Sequence, residues 1–156
     1  MILVKFDKEI KGTSTVEKYK EWIEFESYSL NVSRHVQVQG NDRDVGQAFI
    51  SEFLLTKGAD KTSPEFFIQS LVGTAFDSAT IVVLHAAGSS KTSQELLQIT
   101  LTKPVVSSFS TQCTANNRPT EHLSLNFINI KYKYVHFDGD VNKGSVEKSY
   151  DVFAKA

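Results

Sequence analysis

Hydrophobic and polar residues alternate along the segment 123–134, LSLNFINIKYKY, but the apolar positions change face halfway. Leu123, Leu125 and Phe127 place apolar side chains on one face of a strand. Because the side-chain period of a strand is two, a half-buried strand keeps one face apolar throughout. The second half of this segment instead places apolar groups on the other face, at Ile128, Ile130, Tyr132 and Tyr134.

A second segment, 22–33, shows the same change of face. Ile23 and Phe25 share one face, and the opposite face then carries Tyr28, Leu30 and Val32. A β-bulge in each strand would shift the alternation without any partner. Alternatively, one half of each strand faces the core while the other half packs against a helix or another subunit. On that second interpretation the inter-subunit candidates are Tyr28, Leu30, Val32, Ile128, Ile130, Tyr132 and Tyr134.

Short apolar runs separated by turn residues predict a mainly β protein with a single domain over residues 1–156. Pro104 interrupts one run and predicts a bend or a sheet edge there, because proline cannot donate to a strand ladder. Residues 34–46 and 113–122 are polar and predict exposed loops. The predicted strands lie within 2–6, 22–33, 80–88, 95–111, 123–134 and 145–155.

One helix is predicted at about 63–73. Ser63 suits its N-cap, Pro64 its first position, and Gly73 its end. The preceding run, 47–57, fits either a helix or a strand by its periodicity. Apolar side chains recur at helical spacing within the predicted helix, at Phe67, Ile68, Leu71 and Val72.

Composition excludes several classes of protein. The 156 residues carry a net charge of −1, which gives no general affinity for nucleic acid or anionic membranes. Cys113 is the single cysteine, so an intrachain disulfide and a cluster of thiolate ligands are both excluded. No run approaches the roughly 18 apolar residues that a membrane-spanning helix needs. Since no signal peptide precedes Asp7, we expect synthesis in the cytoplasm and any export to proceed without a cleavable signal.

The search for chemistry yields no catalytic set, no metal site and no cofactor motif. The segment 136–149 matches the first three ligand positions of a calcium loop, yet the positions for glycine and bidentate glutamate hold Lys143 and Ser149. A stretch rich in glycine, aspartate and asparagine is also what an ordinary hairpin uses. We therefore expect a protein that is not an enzyme. A monomeric ligand- or ion-binding β-barrel using 136–144 is retained as an alternative.

Three blocks of the sequence resemble one family. The segment 51–66, SEFLLTKGADKTSPEF, resembles the haemolysin-coregulated protein (Hcp) family of type VI secretion, although Leu55 stands where that family usually has Phe. The segments 96–111 and 118–134 continue the resemblance in family order. The matching residues are Thr56, Lys57, Asp60, Lys61, Thr62, Ser63, Pro64, Thr120, Glu121, Leu125, Asn126 and Phe127.

The resemblance implies a compact β-barrel of two packed antiparallel sheets with one short α-helix. It also implies homohexameric rings that stack into a tube, with sheath and tip components and effector toxins as partners and delivery out of the cell as the outcome. A phage tail-tube protein would share this architecture. Many family members are glycine-rich at 34–46, where this chain has only Gly40 and Gly46. The candidates for ring contact or stacking in that segment are Arg34, His35, Asp42, Arg43 and Asp44, and the cargo-binding residues stay unknown.

Overall fold

The structure of the protein is a computed structural model, and the residues described are 1–86 and 93–156. The single helix of these residues, α1, runs from Ser63 to Val72. The strands are β1 Ile2–Phe6, β2 Ile23–Phe25, β3 Ser27–Ser29, β4 Val32–Gln39, β5 Asp42–Ile50, β6 Phe53–Gly58, β7 Ser78–Ala86, β8 Ser93–Thr102, β9 Val105–Gln112, β10 Thr120–Asn126, β11 Asn129–Asp138 and β12 Val141–Asp151.

The described strands form three antiparallel sheets. A six-stranded sheet has the order β12-β11-β8-β7-β1-β2, and a four-stranded sheet has the order β3-β6-β10-β9. One hydrophobic core is built from both of these sheets. This confirms the predicted mainly β fold of two packed antiparallel sheets with one short helix. The third sheet, β4-β5, was not predicted. The predicted strand at 80–88 corresponds to β7, and its residues 87 and 88 lie outside the described residues.

The change of face at 123–134 marks a corner between the two large sheets. β10 ends at Asn126 in the four-stranded sheet, and β11 begins at Asn129 in the six-stranded sheet. Leu123 and Ile130 are both buried, because the two sheets face the same core from opposite sides. The prediction of one continuous strand is therefore wrong. A bulge at the change of face is also wrong, since the register shifts of β10 and β11 fall elsewhere.

The segment 22–33 turns a similar corner. β2 belongs to the six-stranded sheet and β3 to the four-stranded sheet, with only Glu26 between them. A third corner lies between β8 and β9, where Lys103 has φ 51° and Pro104 follows. The bend predicted from Pro104 is confirmed.

Residues 34–46 are exposed, as predicted, but the prediction that they form a loop is wrong. These residues belong to the antiparallel β4–β5 hairpin, in which Gln39 pairs with Asp42 across a two-residue turn. Gly40 occupies the first turn position with φ 58°, a conformation that favours glycine. In the sequence, the alternation of Val36 and Val38 before this turn is the pattern that indicates a strand.

Helix α1 packs through a residue outside its predicted apolar stripe. Phe66 is fully buried, and its ring lies 5.4 Å from that of Phe6 in β1 and 6.4 Å from that of Phe25 in β2. The predicted end is confirmed, because Gly73 adopts φ 72° and donates its N–H to the Gln69 carbonyl. The predicted cap is wrong, since the N-cap position is Thr62 and no side chain caps it.

The segment 7–22 covers the outer face of the six-stranded sheet. Val16, Tyr19 and Trp22 pack over a small second cluster of Leu3, Val82 and Leu84. Tyr19 donates a hydrogen bond to the Glu95 carboxylate. Burial and this neighbouring carboxylate both raise the pKa of the Tyr19 phenol above its ordinary value. This hydrogen bond holds the part of the covering segment that contains Tyr19 to β8, which carries Glu95.

Candidate functional site

The β4–β5 hairpin exposes apolar side chains along its length and pairs with neither large sheet. Isolated two-stranded hairpins are at best marginally stable in water. A hairpin of 8 and 9 residues per strand with these exposed apolar side chains would be stabilised by packing against another molecule. The exposed apolar side chains of the hairpin are Val32, Val36, Val38, Val45 and Phe49.

An apolar groove lies where the base of this hairpin meets the β11–β12 edge of the six-stranded sheet. The groove has a volume of about 280 Å³. We call it the edge groove. Lys148 contributes the one charged side chain among its lining residues. The apolar part of the lining comes mainly from Leu30, Val32, Phe49, Ile130, Tyr132 and Tyr150.

The structure divides the seven residues predicted to lie between subunits. Ile130 is only 6% exposed and belongs to the monomer core. Tyr28 and Leu30 also pack on that core, and the Tyr28 ring stacks on Phe53 at 5.5 Å. Ile128 is half-buried in the corner between β10 and β11. The exposed members are Val32, Tyr132 and Tyr134. A contact role stays a prediction for all seven residues.

Tyr28 and Tyr132 lie close enough to influence each other across the two sheets. Burial raises the pKa of the Tyr28 phenol, and the neighbouring Tyr132 adds to that rise. Leu30 and Val32 of one segment and Ile130 and Tyr132 of the other line the edge groove together, so the second halves of the two segments are neighbours in the fold. The sequence grouped these residues by pattern, and the fold brings them together.

The charged candidates for stacking all lie on the projecting hairpin and are exposed. Arg34 donates through Nη1 to the Gly46 carbonyl at 2.6 Å, which holds its side chain across the hairpin. Asp42 accepts the Arg43 backbone N–H at 2.9 Å beside the turn. None of the salt bridges within residues 1–86 and 93–156 involves these side chains. A contact or stacking role stays a prediction for these residues and for His35 and Asp44.

A second exposed apolar surface lies on α1. The predicted stripe points outward, whereas core packing falls to Phe66 alone. We call this surface the helix face, and it consists of Phe67, Ile68, Leu71 and Val72, which are 52%, 46%, 70% and 63% exposed. A helix normally turns its apolar stripe towards the core. An outward stripe indicates a surface meant for contact with another molecule.

A buried charged cluster fixes the start of this helix. Lys57 Nζ lies 2.6 Å from Glu121 Oε1 and 3.0 Å from Asp60 Oδ1. Ser63 donates through Oγ to Glu121 Oε1 at 2.8 Å and accepts from Lys57 Nζ at 3.2 Å. Lys57 is fully buried, and Glu121 is 2% exposed. Ion pairs of this depth hold only when hydrogen bonds satisfy the remaining polar atoms, as they do here.

Asp60 completes the cluster. Burial by itself would raise the pKa of the Asp60 carboxyl group. Hydrogen bonds from Thr62 and Lys57, together with the charge of Lys57, outweigh that effect and lower the pKa below its ordinary value. The segment between β6 and α1 is thereby held to β10, which carries Glu121.

Four of the residues that match the Hcp family meet in this buried cluster. Lys57, Asp60 and Ser63 come from the first block that resembles the Hcp family, and Glu121 comes from the third. Sequence reasoning matched these residues without assigning them a role. The signal was the recurrence of charged and hydroxyl residues in two distant blocks, but only the fold shows that they meet.

Candidate chemistry elsewhere does not assemble. Among residues 1–86 and 93–156, no three histidine, cysteine or carboxylate groups are arranged to hold a metal ion. The calcium-like segment 136–149 comprises the end of β11, the turn at 139–140 and most of β12, with Gly139 at φ 59°. Within those same ranges, no helix is long and apolar enough to cross a membrane.

Comparison with known proteins gives one consistent result. A family described as "Type VI secretion system effector, Hcp" matches residues 4–134. A search of curated proteins returned no match. Among solved structures, a type six secretion system protein superposes with TM-score 0.89 at 21% identity, covering 99% of this chain and 97% of that one.

Two further structures show the same fold. A type VI secretion system effector from Yersinia pestis matches with TM-score 0.78 at 22% identity, over 97% of this chain and 100% of that chain. Hcp2 from Salmonella typhimurium matches with TM-score 0.75 at 24% identity, over 99% and 98%. The family match spans most of the sequence, and the fold agrees with it over nearly the whole length. This chain belongs to the Hcp family of type VI secretion proteins.

Proposed function

We propose that this Hcp-family protein is a structural subunit of the type VI secretion inner tube, which forms homohexameric rings that stack. The β4–β5 hairpin carries the proposal. It projects from both sheets with apolar residues on its surface, and contact with neighbouring copies would remove that surface from water.

A closed ring of identical subunits uses two different surfaces of each subunit. This chain offers two such apolar surfaces, the edge groove with its hairpin and the helix face. A structure with the same fold, at TM-score 0.54 and 13% identity, belongs to the baseplate of the anti-feeding prophage, which was determined with 6-fold symmetry. That likeness supports the fold of the proposed ring subunit.

The charged end of the hairpin is proposed to contact the adjacent ring. Asp42, Arg43 and Asp44 begin β5 directly after the turn, so they would reach a neighbour first. Opposite charges there set register and partner choice more than affinity. The remaining partners of the proposal are sheath and tip components around the tube and effector toxins within it. The subunit would be delivered out of the cell, and it would act without catalysis.

Light scattering after gel filtration, over a range of concentrations, tests the ring. We expect a particle of six times the chain mass of 17.4 kDa, with ring-shaped particles in negative-stain electron microscopy. A strictly monomeric, folded protein at all concentrations would contradict the proposal and favour the ligand- or ion-binding alternative. That alternative predicts a rise in melting temperature on adding calcium.

The stacking contact has its own variant. Arg43→Glu reverses one exposed hairpin charge and should leave the six-fold mass unchanged while shortening stacks in electron micrographs. Lys20→Glu reverses a similarly exposed charge outside the hairpin and serves as the matched control. Stacks of equal length in the two variants would show that the charge of Arg43 does not contribute to the stacking contact.

A further inference from the structure

The helix face is apolar and nearly free of charge. Residues 66–76, FFIQSLVGTAF, contain no charged side chain. Glu65, in the first turn of α1, is the one charged residue of the helix. The face thus forms an apolar ridge with a single carboxylate at one end. An amphipathic helix of this kind is suited to an apolar groove.

The edge groove and the helix face are built from different elements of the fold. α1 packs through Phe66 on Phe6 of β1 and Phe25 of β2, and it also lies against β9. The groove is lined by β11, β12 and the base of the β4–β5 hairpin, and none of its lining residues belongs to α1. A ring requires complementary surfaces on two different sides of each subunit. The helix face and the edge groove share no residue, so they can serve as these two surfaces.

The charges beside the two surfaces are opposite. Glu65 accepts a hydrogen bond from Gln69 Nε2 at 3.0 Å, and Lys148 lines the edge groove. In the described part of the chain, neither side chain forms a salt bridge. An exposed pair of this type strengthens a contact by about fivefold at most, but it fixes orientation.

We propose that the helix face of one copy packs into the edge groove of the next copy, with Glu65 near Lys148 of that neighbour. This pairing rests on the proposed function, because it names the two surfaces that would close the ring. In this pairing, the buried cluster of Lys57, Asp60, Ser63 and Glu121 positions the helix face. By holding the start of α1 against β10, the cluster sets the angle at which the helix face is presented.

Chemical cross-linking tests the pairing directly. In a Cys113→Ser background, Leu71→Cys places a thiol on the helix face and Phe49→Cys places one in the edge groove. Both side chains are exposed in the monomer, at 70% and 64%, so neither change disturbs the core. We expect a short bismaleimide to give a ladder of covalent oligomers up to the hexamer. The control combines Leu71→Cys with Val141→Cys, since Val141 is also exposed but lies at the tip of the β11–β12 hairpin.

The outcomes separate this pairing from the proposed function. A six-fold particle that yields no ladder with Leu71→Cys and Phe49→Cys overturns the pairing and leaves the ring standing. Cross-linking by Leu71→Cys alone would indicate that helix faces meet each other, which also overturns it. A ladder from the Val141 control pair as strong as from the Phe49 pair would show a lack of specificity and overturn it likewise. A strictly monomeric parent chain overturns the proposed function and the pairing together.

A charge exchange provides an independent readout. Glu65→Lys and Lys148→Glu should each raise the concentration at which the ring dissociates, by up to about fivefold per contact. The double variant should return that concentration towards the parent value, because the opposite charges are restored. Additive weakening in the double variant would overturn the placement of Glu65 near Lys148.

Discussion

Lys57 and Glu121 form a salt bridge of 2.6 Å in which both side chains are almost completely removed from water. Asp60 and Ser63 complete their hydrogen bonds, and no buried side-chain polar atom in the described residues is left without a partner. The Phe66 ring lies beneath the ammonium group, with its centre 5.7 Å from Lys57 Nζ. The charged cluster and the core face of α1 are therefore one packing unit.

Breaking this salt bridge should destabilise the fold strongly. Lys57→Met leaves the Glu121 carboxylate buried without its counter-charge, and we expect a loss of about 3–5 kcal/mol in unfolding free energy, measured by urea denaturation. Lys11→Met is the control, because the Lys11–Glu21 pair is exposed and should contribute less than about 1 kcal/mol. Adding Glu121→Leu to Lys57→Met should recover part of the loss. Equal effects of Lys57→Met and Lys11→Met would contradict the prediction.

Asp60 should make stability depend on acid pH. Its folded pKa lies below the ordinary value of 3.8, so ionised Asp60 stabilises the fold above that value. The stabilisation is lost as the pH falls from 3.8 through the lower folded pKa, because the carboxylate is then protonated. The difference in unfolding free energy between the parent and Asp60→Asn should therefore shrink on acidification. A difference that stays constant from neutral to acid pH would argue against this role.

Substitution of the two neighbouring phenylalanines of α1 should lower the unfolding free energy by very different amounts. Phe66→Ala creates a cavity in the core and should cost about 3–5 kcal/mol of unfolding free energy. Phe67→Ala removes a half-exposed side chain and should change the stability of the dissociated chain by less than about 1 kcal/mol. The unfolding free energies of the two variants are compared by denaturation at a protein concentration too low for rings to form. Similar losses would place Phe67 in the core and contradict the outward helix face.

Gly12 should be intolerant of a side chain. A Cβ atom there would lie 2.3 Å from the Trp22 carbonyl oxygen, which belongs to the backbone and has little room to move. Gly12→Ala should therefore displace the covering segment 7–22, lower the unfolding free energy by about 1–3 kcal/mol and shift the fluorescence of the single tryptophan.

Gly139→Ala is the matched control for that prediction. Gly139 has open space around its Cα but a φ of 59°, so alanine there should cost only about 1 kcal/mol through backbone strain. Tryptophan fluorescence should not change in this control. An unchanged spectrum in Gly12→Ala would instead show that the covering segment adapts to the side chain.

The sequence by itself determined the features that depend on near neighbours along the chain. Pro64 and Gly73 fixed where α1 begins and ends to within one residue, because their backbone preferences are local. The glycine and aspartate residues at 138–140 marked the β11–β12 turn for the same reason. The three blocks that resemble the Hcp family are also recognisable in the sequence alone, in family order.

Only the tertiary structure decided which surface each pattern serves. Alternation shows which residues share a face, but not which sheet a strand joins, so the corners at 26 and at 127–128 looked like defects in single strands. Periodicity likewise located an apolar stripe on α1 without showing that it faces outward. From the sequence alone, Lys57 would be expected at the surface, but the fold brings Glu121 Oε1 of a distant strand to 2.6 Å from Lys57 Nζ. Burial of a charge depends on such long-range contacts, and these form only when the sheets pack together.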